Sequence, residues 1–202
     1  MNALLSQQDV SDIAGPVLPR LANVIETGFT NYVRSMAAIS ASGINVNFKP
    51  RTSATMIHNL IQQAAEVEFV NDQQVSVGEF NGIFGVLIAK KLFIRFKKLR
   101  PNLETSNVKT DQTEDFDKQQ LTLPGFANVT LLTAGYIPDA TWTSIRSISL
   151  TCKQNDELLW YSDLHGEVSQ TRIFSPEVTE EQGVPTVRVR PNGAENTATN
   201  AS

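Results

Sequence analysis

Residues 74–99 read QVSVGEFNGIFGVLIAKKLFIRFKKL, and this stretch decides the fold. It holds three short runs rich in Val, Ile and Phe, separated by Asn81-Gly82 and by Lys90-Lys91. Apolar runs with turn residues at this spacing are typical of an antiparallel meander, and Asn-Gly is a strong signal for a two-residue hairpin turn. The stretch therefore predicts antiparallel strands, with its clearest hairpin at Asn81-Gly82.

The third run concentrates positive charge in an acidic chain of net charge −4. Because side chains alternate along a strand, residues 92–98 predict one apolar face, made by Leu92, Ile94 and Phe96. The other face is basic, and the residues singled out for binding are Lys91, Phe93, Arg95, Lys97, Lys98 and, in the following linker, Gln120. Such a face resembles a phosphate-contacting surface with one stacking ring. The same pattern also occurs on a solvated strand face, or on an edge strand whose lysines discourage aggregation.

The residues before the meander predict helices. Apolar side chains recur every three or four positions through residues 7–41, and Pro16 and Pro19 favour a helix start near Leu18. A second helix is predicted over residues 52–69. At its end, VEFV at residues 67–70 is rich in strand-forming residues and is interpreted as a short strand.

The residues after the meander begin with an acidic linker. Residues 100–126 interrupt the apolar pattern, and a short helix is expected near residues 111–120. Its acidic run at 111–117 either pairs with the basic strand in cis and masks it, or forms the exposed side of the helix. Strands are predicted again in NVTLLTAGYI, SIRSISLTC and ELLWYSDL, at residues 128–137, 144–152 and 157–164.

This order of elements predicts an α+β fold, in which N-terminal helices pack on a mainly antiparallel β-sheet. Of the 202 residues, 41% are hydrophobic, which is enough to bury a core. We expect an N-terminal helical segment over residues 1–50, an α+β core domain over 51–175 and a flexible tail over 176–202. The tail is assigned because apolar periodicity is lost there.

Several functional classes lack their sequence signals. The N-terminus does not resemble a signal peptide, and no apolar run reaches the roughly 18–20 residues of a membrane span, so we expect a cytoplasmic protein without an integral membrane segment. Cys152 is the only cysteine, and the two histidines are far apart, which disfavours a zinc site. We therefore expect no metal and no cofactor.

Catalysis has little support in the sequence. No nucleophile elbow and no phosphate-cradling glycine loop is present. A magnesium nuclease would need an acid two residues before Lys97, and Arg95 stands there instead. A metal-independent ribonuclease needs no short motif, and its candidate residues would be His58, His165, Arg95 and Tyr136.

Several ordered blocks resemble a known family. They are LFIRFKKLRPNLETSNVKTDQ, FDKQQLTLPGF, LTAGYIPD, SIRSISLTC and LLWYSDL, within roughly residues 50–164. These blocks are similar to small bacterial and phage proteins encoded beside genes for an XRE-type helix-turn-helix protein fused to an ImmA/IrrE-like zinc-peptidase domain. The resemblance implies a RosmerTA-type toxin component of a toxin–antitoxin or phage-defence pair, with the neighbouring protein as its neutralising partner.

The sequence and the resemblance together favour an effector that acts by binding and not by catalysis. Nucleic acid is a possible target through the basic strand, and the helix-turn-helix and zinc-peptidase protein is the expected partner. Two alternatives remain open. One is a metal-independent or degenerate nuclease, and the other is a non-catalytic regulatory or structural subunit.

Overall fold

The computed structural model describes residues 4–105, 110–126, 128–155 and 157–165. Its helices are α1 (Gln7–Ala14), α2 (Leu18–Ala41), α3 (Pro50–Phe69) and α4 (Asp111–Asp117). Its strands are β1 (Val75–Phe80), β2 (Ile83–Ile88), β3 (Leu92–Lys98), β4 (Thr130–Pro138), β5 (Ile145–Gln154) and β6 (Glu157–Asp163). The α+β fold with N-terminal helices and a mainly antiparallel sheet is confirmed, whereas the tail over 176–202 lies outside the described residues.

The six strands form one sheet in the order β1-β2-β3-β4-β5-β6. The hairpin at Asn81-Gly82 is confirmed, because Phe80 pairs with Ile83 and both turn residues have positive φ, 50° and 75°. Positive φ at both central residues is the geometry of a type I′ turn, whose twist matches that of the strands it joins. Among the described strands, only β3 and β4 pair in parallel.

The parallel pairing of β3 and β4 requires a crossover connection between them. Residues 99–129 make this connection, and α4 lies within it. As a result, the sheet is covered on both faces near β3. The helices α1, α2 and α3 pack on one face, and α4 with the residues that follow it packs on the other.

Side-chain alternation assigns the strand residues to two cores. The larger core joins α1, α2 and α3 to the sheet, and its strand members include Val86, Leu92, Ile94, Phe96, Leu132, Tyr136, Ile148 and Leu150. The smaller core lies under α4, and its buried members are Leu87, Phe93, Phe116, Leu123 and Leu131. The apolar face predicted for Leu92, Ile94 and Phe96 is therefore confirmed.

The strand interpretation of residues 67–70 is wrong, because α3 continues to Phe69. Buried side chains recur at every fourth position in this helix, at Ile57, Ile61, Ala65 and Phe69. Packing of this stripe against the sheet outweighs the strand preference of Val67 and Phe69, since tertiary burial commonly overrides local propensity. Among the helices that the structure describes, none combines the length and the apolar character needed to cross a membrane.

Candidate ligand-binding notch

The pairing between β2 and β3 ends before β3 does. Its last partners are Gly85 and Arg95, while Lys97 and Lys98 still pair with β4 on the other side of β3. A gap therefore opens between the β1–β2 hairpin, at residues 78–84, and the end of β3, at residues 95–98. The gap is flanked by α3 on one face of the sheet and by α4 on the other. We call this gap the notch.

Two adjoining cavities meet at the end of β3: the second lies in this gap, and the first lies beside it and is lined by residues of α3, β3, β4 and the start of α4, so that the name notch covers both. The first has a volume of about 590 Å³ and the second about 490 Å³. Both cavities are lined by His58, Phe96, Lys97 and Thr113. Because these residues come from α3, β3 and α4, the site is assembled where the two layers of helices meet the interrupted sheet.

The first cavity is cationic. The charged residues that line it are Arg51, Lys97 and Lys98, and no Asp or Glu appears among its described lining residues. Lys98 also places its ammonium nitrogen 5.1 Å from the centre of the Trp142 ring, which is a cation–π contact. With no acidic residue in its lining, the cavity is suited to a negatively charged group.

Tyr136 adds a polar donor to the first cavity. Its side chain is buried, and its hydroxyl has no hydrogen-bond partner among the described residues. Burial raises the pKa of Tyr136, with a smaller contribution from Tyr32, so the hydroxyl keeps its proton at neutral pH. A buried donor without a partner costs roughly 1–3 kcal/mol, and a bound acceptor would remove that cost.

Arg95 lines the second cavity and is 1% exposed. Its Nη2 donates to Asp117 Oδ1 at 2.7 Å, and its Nε donates to Thr133 Oγ1 at 3.0 Å. The guanidinium carbon stands 3.7 Å from the centre of the Phe116 ring. The remaining nitrogen, Nη1, is buried and has no hydrogen-bond partner among the described residues.

Lys97 is half-buried between the two cavities. Burial lowers the pKa of its ammonium, the positive charge of Arg95 lowers it further, and Asp117 opposes both. Among the described residues, none forms a salt bridge with Lys97. An anion beside Lys97 would stabilise the charged form of a side chain that the protein alone stabilises poorly.

His58, on α3, lines both cavities together with Lys97. Burial lowers the pKa of His58, and the charge of Lys97 lowers it further, so the ring is neutral at pH 7. The amide nitrogen of Gln62 lies 3.3 Å from His58 Nε2. Since an amide nitrogen only donates, this contact assigns Nε2 as the acceptor and places the ring proton on Nδ1.

The basic face expected from the sequence does not face solvent. Phe93 and Arg95 are 0% and 1% exposed, because Phe116 of α4 and Leu123 of the following loop cover this part of the sheet. Of the two alternatives left open for the acidic run, pairing with the basic strand in cis is found at one contact, Asp117 with Arg95. Of the basic residues selected for binding, Lys97 and Lys98 line the first cavity, and Arg95 and Lys97 line the second.

The remaining residues selected from the sequence lie away from the notch. Lys91 is exposed at the start of β3, about 20 Å from Lys97 by the rise of a strand. Gln120 is exposed beyond the end of α4, and Phe93 is buried in the smaller core. None of these three lines the two cavities.

The histidines nominated for metal-independent cleavage separate in the structure. His58 lines both cavities, together with Arg95 in one and Tyr136 in the other. His165 lies after β6, where its Nε2 is 3.8 Å from Glu26. Among the described residues, no group of three His, Cys, Asp or Glu side chains is arranged to hold a metal ion.

Sequence reasoning missed Arg51, Gln112 and Thr113 as residues of the notch. A signal for Arg51 was present in α3, where polar residues recur at positions 51, 55, 58, 62 and 66 beside the buried stripe. This spacing defines one polar face of a helix. No comparable local signal exists for Gln112 and Thr113, because crossover packing brings them to the notch.

Comparisons with protein-family models, with curated proteins and with solved structures give no match for this chain.

Proposed function

We propose that this chain is the effector component of a two-gene toxin–antitoxin-like or phage-defence pair, and that it acts in the cytoplasm by binding an anionic target in the notch. The helix-turn-helix and zinc-peptidase partner comes from the sequence resemblance. The mode of action, binding of an anionic target, is inferred from the side chains that line the notch. The observation that carries it is the set of lysine and arginine side chains in the first cavity, which has no acidic residue among its described lining residues.

Binding is a better explanation of this arrangement than packing. Half-buried Lys97, the free Nη1 of Arg95 and the free hydroxyl of Tyr136 all cost the folded protein free energy when nothing occupies the notch. Buried polar groups are normally paired, and groups that are not paired call for a ligand or another role. A ligand with anionic oxygens would pair with Lys97 directly, and it would reach the two buried atoms after a small rearrangement of the cavity walls.

The proposed partner would neutralise the effector by covering the notch. The β1–β2 hairpin and the N-terminal turn of α3 border it, and both carry exposed residues, including Asn81 and Arg51. A partner that places a carboxylate near Arg51 and Lys98 would compete directly with the target. This route requires no zinc and no DNA contact from the effector itself.

The experiment is growth of a bacterial culture after induction of the chain without its partner. The test variant is Arg51→Glu with Lys97→Glu, which reverses two charges of the first cavity. The matched control is Lys90→Glu with Lys91→Glu, which makes the same charge change in the exposed β2–β3 turn. Arg95 is left intact, because its buried ion pair supports the fold.

We expect the native chain and the Lys90/Lys91 control to stop growth, and the Arg51/Lys97 variant to permit it while remaining folded. Circular dichroism of the purified variants checks the fold. If no version affects growth, the effector proposal is wrong for that host. If all versions stop growth equally, the notch is not the functional surface.

A metal-independent nuclease is the second candidate, because His58, Lys97 and Arg95 line one cavity. Neutral His58 would take a proton from a ribose 2′-hydroxyl through Nε2, which the amide of Gln62 would first have to release. The 2′-oxygen would attack phosphorus to form a 2′,3′-cyclic phosphate, and the bond to the 5′-oxygen would break as the ammonium of Lys97 donates a proton to that oxygen. Chelator-insensitive cleavage of RNA, lost in His58→Gln, would favour this candidate over a binder.

A further inference from the structure

We infer that the ligand of the notch is a nucleotide, with its phosphate in the first cavity and its base in the second. This inference rests on the proposed function, because it names the chemical class bound at the same site. A free mononucleotide and a nucleotide unit of an RNA strand share this chemistry. The two sources are separated in the experiment below.

The two cavities match the two chemical halves of a nucleotide. Ligand cavities are commonly about 300–1,000 Å³, and each of these lies within that range. They meet at Lys97, which lines both. A ligand with one anionic end and one uncharged polar ring can therefore span the notch across a single lysine.

The first cavity provides donors for a phosphate group. Arg51, Lys97 and Lys98 supply positive charge, and the unpartnered hydroxyl of Tyr136 supplies a neutral donor. Charge-assisted hydrogen bonds from lysine and arginine are the strong contacts to phosphate. Thr110 and Thr113 lie in the same lining, but their hydroxyl groups cap the N-terminus of α4, where Thr110 Oγ1 accepts from the backbone N–H of Thr113 and Thr113 Oγ1 donates to the backbone carbonyl of Thr110.

The second cavity has a different lining, which suits a base and a ribose. Phe84 is half-buried at its wall and offers an aromatic ring for stacking. Gln62 and Gln112 also line this cavity, where the amide nitrogen of Gln62 lies against His58 Nε2 and that of Gln112 donates to the backbone carbonyl of Asn81, so it is their amide oxygens that can accept from the edge of a base. Glu66 and Glu79 are acceptors for hydroxyl groups and disfavour a second phosphate there.

Arg95 holds a fixed guanidinium at the second cavity. Its Nη1 is unpartnered and its guanidinium is held by Asp117, Thr133 and Phe116. A donor fixed in this way loses little freedom on binding, so its contact with a ligand is preorganised. The neutral His58 ring beside Lys97 can accept a hydroxyl proton or, when an anion binds, take up a proton itself.

The experiment is isothermal titration calorimetry of the full chain with four probes. These are adenosine monophosphate, adenosine, inorganic phosphate and a six-nucleotide oligoribonucleotide. The test variant is Lys97→Gln, with Arg51→Gln as a second variant at a more exposed position. The control is Lys91→Gln, which removes a lysine from the other end of β3.

We expect adenosine monophosphate or the oligoribonucleotide to bind at least about tenfold more tightly than phosphate or adenosine, since each half supplies part of the affinity. Lys97→Gln and Arg51→Gln should each weaken that binding by about tenfold, and Lys91→Gln by less than about twofold. The tighter of the two nucleotide probes identifies the source of the ligand.

Three results would overturn the inference. The first is that neither nucleotide probe binds. The second is that inorganic phosphate alone binds as tightly as the nucleotide probes. The third is that Lys91→Gln weakens nucleotide binding as much as Lys97→Gln does. If the nucleotide probes fail while growth still depends on Arg51 and Lys97, the proposed function stands and the ligand class is wrong. If nucleotides bind and growth is unaffected, the ligand class stands and the effector proposal is wrong.

Discussion

The buried ion pair between Arg95 and Asp117 is the most constrained contact at the residue scale. The two side chains are 2% and 17% exposed, and the pair joins β3 to α4 across 22 residues of sequence. Burial lowers the pKa of Arg95 and Asp117 opposes this effect. The guanidinium remains charged, because its ordinary pKa lies far above neutral. Loss of Asp117 would leave that charge buried without its partner.

Asp117→Ala should therefore lower the free energy of unfolding by about 3 kcal/mol. The control Asp115→Ala removes an exposed carboxylate from the same helix and should change it by less than about 0.5 kcal/mol. In urea denaturation, Arg95→Met combined with Asp117→Ala should cost less than the two single changes added together. Additive costs would contradict a direct coupling between the two residues.

His58 makes the stability of the protein depend on pH. Its pKa in the folded chain is lowered from 6.5 by burial and by Lys97. The unfolded chain therefore binds a proton first as the pH falls. The stabilising effect of the neutral ring is complete above about pH 6.5 and is lost as the pH falls towards the lowered pKa.

Between pH 7.5 and pH 5.5, the native chain should lose more unfolding free energy than His58→Gln, measured by urea denaturation at each pH. The glutamine side chain has no proton to take up, so its variant retains only the pH dependence of the other groups. An equal loss in both chains would show that His58 titrates alike in the folded and unfolded states.

At the scale of elements, α2 and α3 approach closely at Gly28. A Cβ atom there would lie 2.6–2.8 Å from Ile61, including its backbone nitrogen and Cα. Alanine favours a helix over glycine by about 1 kcal/mol, so helix propensity alone predicts that Gly28→Ala stabilises the protein. The contact with the backbone of Ile61 predicts the opposite, because backbone cannot rotate away as a side chain can.

We expect Gly28→Ala to lower the free energy of unfolding by at least about 1 kcal/mol, since overpacking of this kind costs about 1–3 kcal/mol. Ala37→Gly, at an exposed position of α2, reports the propensity term alone. Thermal and urea unfolding of the two variants are compared with the native chain. Stabilisation by Gly28→Ala would mean that the helices separate at little cost.

The sequence could predict elements whose signals are local. Alternation over residues 92–98 identifies the two faces of β3, and Asn81-Gly82 identifies the turn before β2. Alternation does not reveal whether the second face is covered. The cover comes from Phe116 and Leu123, which are 23 and 30 positions beyond Phe93 and reach it only through the crossover to β4.

At the scale of the whole molecule, the notch depends on features that no single segment contains. It needs the pairing of β2 and β3 to end at Gly85 and Arg95, and it needs α3 and α4 to flank the same gap. The sequence identified Arg95, Lys97 and Lys98 as basic residues near one another. His58 and Tyr136 were nominated beside Arg95 for their chemistry alone, and no local pattern indicated that α3 and β4 would bring them to the same notch as Lys97.

The central claim is that the notch is the ligand site, and the most direct test is the pKa of His58 measured by nuclear magnetic resonance. The ring is titrated in the full chain with and without adenosine monophosphate, and its resonances are assigned by their loss in His58→Gln. His165, which lies after β6 beside Glu26, provides an internal reference in the same spectra.

In the free chain, the pKa of His58 should lie below its ordinary value of 6.5. Binding should raise that pKa, because a phosphate near Lys97 favours the charged ring. A pKa at or above 6.5 in the free chain, or no response of His58 to a nucleotide that binds, would contradict the account.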